Sequence, residues 1–445
     1  MNDFSGQLIR FGMSPAAAAR QGAHLEACDT GLGSLGAGRR RWSVWVPGRV
    51  ELLGKHTDYA GGRSLLCAVE RGFVVRAALR SDRFVRAIDV RTGETSRAEL
   101  AASTSEPGDG WQRYVCGVAR RLARNFPGTT RGVDLAFHSD LPVAAGMSSS
   151  SALMIAVFVS LAKSNDLRSS EEFRREISSR EELAAYLGCI ENGQNFRSLE
   201  GDAGVGTFGG SQDHTAIMCS EPGRVVQYSF GPVRREAVFQ MPPTVTLVVA
   251  SSGVIAEKAS GARGAYNRLS LVMQHLLRAW NARESRSDGS IADAIRSGGD
   301  APRRLRELAA QQRGIDFTPE ELVARFDQFM LETFEIIPAA GAALARGTIG
   351  DLGELVDRSQ QAAETSLRNQ TPETITLAQQ ARELGAIASS SFGAGFGGSV
   401  WALVPVGDAV SFAARWHDAY VREFPALSDA AEFFVSPLGP GAMQW

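Results

Sequence analysis

Leu141-Pro-Val-Ala-Ala-Gly-Met-Ser-Ser-Ser-Ser-Ala-Leu153 is the stretch that most restricts what this chain can become. Residues 133–138 before it are β-prone, and residues 152–162 after it carry apolar side chains at helical spacing. The turn between them holds Pro142 and Gly146, then four consecutive serines, Ser148, Ser149, Ser150 and Ser151. Serines at a helix start cap its free N–H groups, and that end of a helix carries a partial positive charge. Strand, small-residue turn and helix start together suit a bound phosphate. A solvated cap satisfies the same pattern when the stretch is taken alone.

Two further stretches narrow the reading. Pro47-Gly-Arg-Val-Glu-Leu-Leu-Gly-Lys-His-Thr-Asp-Tyr-Ala-Gly-Gly62 packs Arg49, Glu51, Lys55, His56 and Asp58 between glycines. Near the other end, Gly393-Ala-Gly-Phe-Gly-Gly-Ser399 runs into Val-Trp-Ala-Leu-Val. Three dense motifs so far apart in one chain read as one site assembled from distant segments. Two look-alikes fall away. In 48–56 the glycine spacing is wrong for a P-loop, and His56 follows Lys55 where Ser or Thr is required. Gly393-x-Gly395-x-x-Gly398 matches a dinucleotide fingerprint, but a β-like segment follows it instead of a helix.

The three motifs, in this order, resemble those of GHMP-type small-molecule kinases, and within them the galactokinases. The resemblance covers the chain from about Arg41 onward. It implies an α+β fold of two domains with the active site in the cleft between them, and an activity that phosphorylates the anomeric C1 hydroxyl of galactose with ATP and Mg²⁺. Residues 1–40 would be an N-terminal extension, 41–240 the N-terminal domain with the serine loop, and 241–445 the C-terminal domain, divided near Pro242-Pro243. Strands and helices that alternate without βαβ spacing agree with α+β.

Residue by residue, the resemblance implies that Asp213, in Gly210-Ser-Gln-Asp-His214, orients or deprotonates the acceptor hydroxyl, with Arg49 paired to it. Gly146, Ser148, Ser149, Ser150 and Ser151 would hold nucleotide phosphates. Trp111 would either meet the adenine or only anchor its helix to the core. Ser150 and Glu191 would be magnesium ligands, since Mg²⁺ takes few protein oxygens beside water and phosphate. The interval from Glu191 to Asp213 is longer than in the family, so Glu200 competes for that role. Lys55, His56, Asp58, Gly210 and Tyr266 would meet the sugar. Two of these positions depart from the family. Lys55 stands where it has glutamate, and Glu51 where it has asparagine. Lysine at that place would either face C6 of the sugar, as for a uronic acid, or pair internally with Glu51. The alternatives to galactose are galacturonate or an N-acetylhexosamine; the resemblance also allows a non-catalytic sugar sensor.

Composition excludes other classes. A net charge of -2 offers no electrostatic case for nucleic acid or an anionic membrane. No apolar run approaches the roughly 18 residues of a membrane span. The five cysteines are scattered, form neither a disulfide framework nor a zinc pattern, and read as reduced thiols of a cytoplasmic protein. The oligomeric state is not legible.

Periodicity predicts a helix over 14–27, loop over 30–38 and a solvated turn at Arg39–Arg41. It also predicts an antiparallel strand pair over 72–79 and 84–90, joined by a turn at 80–83.

Overall fold

Long apolar, β-branched runs dominate the first half of the chain, and they form strands buried on both faces. The structure is a computed structural model that describes residues 3–36, 40–103, 108–143, 145–254, 261–312 and 316–443. Strands β1 (Arg41–Leu53) and β2 (Arg63–Leu79) pair antiparallel at the heart of the first sheet. The sheet also takes β3 (Phe84–Asp89), β4 (Thr95–Glu99), β5 (Val133–Ser139), β6 (Arg224–Ser229) and β7 (Arg234–Gln240). The β1–β2 register shifts between Pro47 and Arg49 and again between Glu51 and Leu53. Proline cannot donate to a ladder, and such irregularities re-aim side chains. The segment that carries Arg49 and Glu51 is offset in this way from the rest of β1.

The expected hairpin of β2 and β3 does not form. Strand β5 lies between them, antiparallel to β2 and parallel to β3. Its apolar residues are buried on both faces, which makes it a central strand. Its one carboxylate, Asp134, is 1% exposed and accepts hydrogen bonds from Arg80 at 2.9 Å and Arg86 at 2.7 Å. The 80–83 turn therefore passes over β5 and does not close a hairpin.

Helices α1 (Asp3–Arg10) and α2 (Pro15–Ser34) cover the outer face of this sheet, against Trp45, Val74, Ala78 and Ala136. Ser14 caps α2 and Pro15 follows it, as the sequence predicts, but the helix continues through the expected loop to Ser34. Gly31 lets this continued helix pack closely on Val90, since a Cβ there would lie 2.5 Å from Val90 Cγ1. Of the arginine run, Arg39 lies outside the described residues, as do residues 37 and 38 of the expected loop. Arg41 opens β1 and pairs with Asp29 at 3.5 Å, so it is not in a turn.

A second sheet holds β8 (Val245–Ser251), β9 (Ala388–Phe392), β10 (Ser399–Pro405) and β11 (Glu432–Ser436), in the order β11–β8–β10–β9. The change of sheet falls at Pro242-Pro243, between β7 and β8. The last strand, β12 (Leu438–Gly439), returns to β2, and Met443 bridges to Trp45. The architecture is α+β. The helices that build the site are α3 (Gln112–Asn125), α4 (Ser149–Ser164), α6 (Arg180–Asn192), α7 (Gln212–Cys219) and α8 (Gly261–Glu284), with a short α5 (Glu171–Glu176) between α4 and α6. Among the described residues, no helix is long and apolar enough to cross a membrane.

Candidate active site

The serine loop leaves β5, turns at Gly146 and enters α4. The backbone N–H of Arg49 donates to the Met147 carbonyl at 3.4 Å, and the Arg49 side chain donates to the Gly146 carbonyl at 2.7 Å. Ser399 Oγ donates to the Ala145 carbonyl at 2.6 Å, so the third motif docks on the same loop. The three motifs meet around a cavity of about 480 Å³. After Gly398 the chain enters β10, which confirms that this loop does not open a helix.

At the end formed by α4, the cavity is lined by Gly146, Ser148, Ser149 and Ser150, with Trp111 farther along the wall. Ser148 sits at the N-cap in a left-handed conformation, φ 61°, and its side chain makes no capping bond. Ser148 Oγ is buried without a hydrogen-bond partner. A cap that does not consume its own helix donors leaves the positive end of α4 facing the cleft. Trp111 packs edge-on against Phe137 at 5.1 Å between ring centroids, and its Nε1 donates to Glu94 at 2.9 Å. It is both a wall of the cleft and an anchor to the core.

Ser151 corrects the sequence reading, because it does not line the cleft. Its hydroxyl points into the protein and donates to Glu191 Oε2 at 2.8 Å. Glu191, at the end of α6, does line the cleft, as does Ser150. Glu200 is exposed and outside it. The long interval before Asp213 is explained by Asn192, whose Nδ2 donates to the Gly209 carbonyl at 2.9 Å and brings the two ends of the loop together. The extra residues fold outward onto α3, where Arg120 pairs with Asp202 at 2.7 Å.

Asp213 stands in the first turn of α7. Arg49, 3% exposed, reaches its Oδ1 with Nε at 2.8 Å and a second nitrogen at 2.7 Å. Beside this pair, Asp58, His56, Gly210 and Tyr266 line a polar compartment. Asp58 Oδ2 accepts from the backbone N–H of Gln212 at 3.0 Å. A Cβ at Gly210 would lie 2.4 Å from that oxygen, so the close approach needs glycine. Burial, then the charge of Asp213, pushes the Asp58 carboxyl above its ordinary range. His56 Nε2 lies 3.1 Å from the Ala394 carbonyl oxygen, and Nδ1 lies 3.1 Å from the Tyr59 hydroxyl. A carbonyl only accepts, so Nε2 carries the proton and Nδ1 accepts from Tyr59. Burial, followed by the guanidinium of Arg325, lowers His56 to about 4, which keeps the ring neutral near pH 7.

Lys55 is the second correction, since its side chain is absent from the wall of this compartment. It is 1% exposed, and its Nζ donates to Ser359 at 3.0 Å and Ser390 at 2.8 Å. The reason is Glu332, which accepts from Gly54 N–H at 2.7 Å and from Ser359 Oγ at 3.1 Å and so organises a polar pocket behind the motif. Glu51 does not make an ion pair with Lys55 either; its Oε2 accepts from Gln212 Nε2 at 2.6 Å. Among the wall residues that escaped the sequence reading are two beside Asp213. Gln212 and His214 flank Asp213, and His214 Nε2 lies 3.3 Å from Glu191 Oε2 with the residue 1% exposed. Their adjacency to Asp213 was the available signal.

Three family models match the chain. They are the galactokinase galactose-binding signature over residues 37–79, the GHMP kinases N terminal domain over 113–220 and the GHMP kinases C terminal model over 341–422. The chain belongs to the GHMP kinases, and is a phosphotransferase. Within that group it is a sugar kinase similar to the galactokinases. It is 29% identical over 394 residues to a galactokinase of Roseiflexus sp., covering 85% of this chain and 88% of that one. With the galactokinase of Chloroflexus aurantiacus it shares 28% over 379 residues, covering 84% and 87%. The crystal structure of Lactococcus lactis galactokinase complexed with galactose superposes with a TM-score of 0.75 at 22% identity, covering 94% of this chain and 98% of that one.

Proposed function

We propose that this kinase phosphorylates the anomeric C1 hydroxyl of galactose with ATP, giving galactose 1-phosphate and ADP. The observation that carries the reading is the Arg49–Asp213 pair, set between the α4 N-terminus and the polar compartment of Asp58, His56 and Tyr266. Phosphoryl transfer needs an aligned acceptor, groups that hold phosphate charge and exclusion of water. In this reading the α4 N-terminus holds the phosphates. Asp213 takes the C1 hydroxyl proton as the new O–P bond forms and the bond to ADP breaks. Arg49 holds the Asp213 carboxylate and faces the transferring phosphoryl group. Asp58 accepts hydroxyl hydrogens of the sugar, which suits a carboxylate with two acceptor oxygens.

The residues present fit Mg²⁺. Ser150 and Glu191 offer one hydroxyl and one carboxylate oxygen at the phosphate end, and hard oxygen donors few in number are what this ion takes. Bound there, it would neutralise phosphate charge. Among the described residues no group of three or more His, Cys, Asp and Glu could hold a metal by itself. Ser150→Ala and Glu191→Ala are each expected to raise the Mg²⁺ concentration for half-maximal activity, while Glu200→Ala leaves it unchanged. A magnesium titration in which Glu200→Ala shifts and Glu191→Ala does not assigns the role to Glu200.

The uronic-acid alternative loses its motive, because Lys55 is turned to Ser359 and Ser390 and a carboxylate, Glu51, lines the cleft instead. The sensor alternative is disfavoured by the assembled Arg49–Asp213 pair. The proposed residue roles go with a division into lobes 41–240 and 241–445, and with a cytoplasmic location suited to five free thiols. ADP release measured with galactose, galacturonate, N-acetylgalactosamine and glucose is expected to be fastest with galactose. Release that is faster with another of these sugars reassigns the substrate, and release with none of them removes the kinase reading for this set.

A further inference from the structure

Glu51 follows Arg49 by two residues on β1, with no register shift between them, so both side chains leave the strand on one face. Arg49 meets Asp213, and Glu51 meets the neighbouring Gln212 through Oε2. Glu51 is 2% exposed and lines the acceptor end of the cleft. Its second oxygen, Oε1, is buried and has no hydrogen-bond partner. The neighbouring amine, Lys55 Nζ, is bonded to two serines and does not supply the missing donor. A buried acceptor without a donor is costly, and a ligand that brings the donor removes that cost.

We propose that Glu51 is a specificity-determining residue of the acceptor site, whose Oε1 accepts a hydroxyl hydrogen of the bound sugar and whose charge disfavours sugars carrying a carboxylate. The inference rests on the sugar-kinase reading. Among the described residues, Asp58, Asp213 and Glu51 put three carboxylates on these walls against the guanidinium of Arg49, with the Lys55 ammonium behind the wall also acting on Glu51, a balance better suited to an uncharged polyol than to an anion. Burial pushes the Glu51 carboxyl up to about 7, against the charges of Lys55 and then Arg49, which favour its ionised form.

The test is a deoxy-sugar scan on the full chain. Binding by calorimetry and kcat/KM are measured for galactose, its 2-, 3-, 4- and 6-deoxy analogues and galacturonate, in parent, Glu51→Gln and Glu51→Leu. In the parent, one deoxy analogue is expected to lose about 10- to 100-fold relative to galactose, the size of a hydrogen bond to a charged group. In Glu51→Leu that loss disappears for that analogue alone, and in Glu51→Gln galacturonate improves relative to galactose. Glu51→Gln keeps the shape of the side chain, so the test survives if Glu51→Leu folds poorly. Deoxy losses and galacturonate ratio unchanged by Glu51→Gln overturn the inference while leaving the kinase reading intact. A parent that neither binds nor phosphorylates galactose overturns both.

Discussion

Asp213→Ala is expected to lower turnover by about 10²–10⁴-fold, the range for a positioned acid/base group, while the affinity for ATP changes little. The argument is geometric. Asp213 is fixed at the start of α7 and reached by two nitrogens of Arg49 at 2.8 and 2.7 Å. The end of the cleft proposed to hold the phosphates is built by other residues, the serine loop and the α4 N-terminus, which the substitution does not touch. Arg49 is only 3% exposed and loses its carboxylate partner, so the variant also loses stability, which a thermal melt separates from the kinetic effect. Asp213→Asn keeps the size of the side chain and one acceptor but cannot take a proton, so it should show nearly the same kinetic loss. Steady-state kinetics with a nucleotide titration decide the matter. Turnover of Asp213→Asn within a few-fold of the parent removes proton transfer from its role.

Lys55→Met is expected to destabilise the fold strongly and to leave sugar selectivity alone. The amine is 1% exposed and hydrogen-bonded to Ser359 and Ser390, in a pocket that also contains Glu332, whose Oε2 is buried without a partner. Removing one member of such a buried charged set costs about 3–5 kcal/mol, because the remaining charge is left uncompensated. Lys55→Glu adds a further carboxylate to Glu51 and Glu332 and should be worse for every substrate alike. Urea unfolding of parent and variants gives the stability change, and the ratio of kcat/KM for galactose to galacturonate gives selectivity. An unchanged unfolding midpoint together with an altered ratio would return Lys55 to the sugar site.

The amino-acid order determined what depends on neighbours in the chain. The path from β5 through Pro142 and Gly146 into α4, the Ser14-Pro15 start of α2, and the strand after Gly398 are all set by local turn, cap and β propensities, and they were readable. So was the gathering of three distant motifs, because each is dense in residues that have no reason to cluster in loops. What only the tertiary structure decided depends on partners far away. Strand β5 enters between β2 and β3 because its buried apolar faces and Asp134 find their match there, a non-local pairing that no hairpin signal reports. Ser151 lies beside Ser150 in the chain, yet the helical turn sends its hydroxyl to Glu191 and away from the cleft. Lys55 and Glu51 belong to one motif, but their directions are chosen by groups brought from elsewhere. Ser359 and Ser390 draw the lysine inward from more than 300 residues away, and Gln212 holds the glutamate at the cleft. Side-chain direction at such positions follows from what packs opposite, which is a property of the assembled fold.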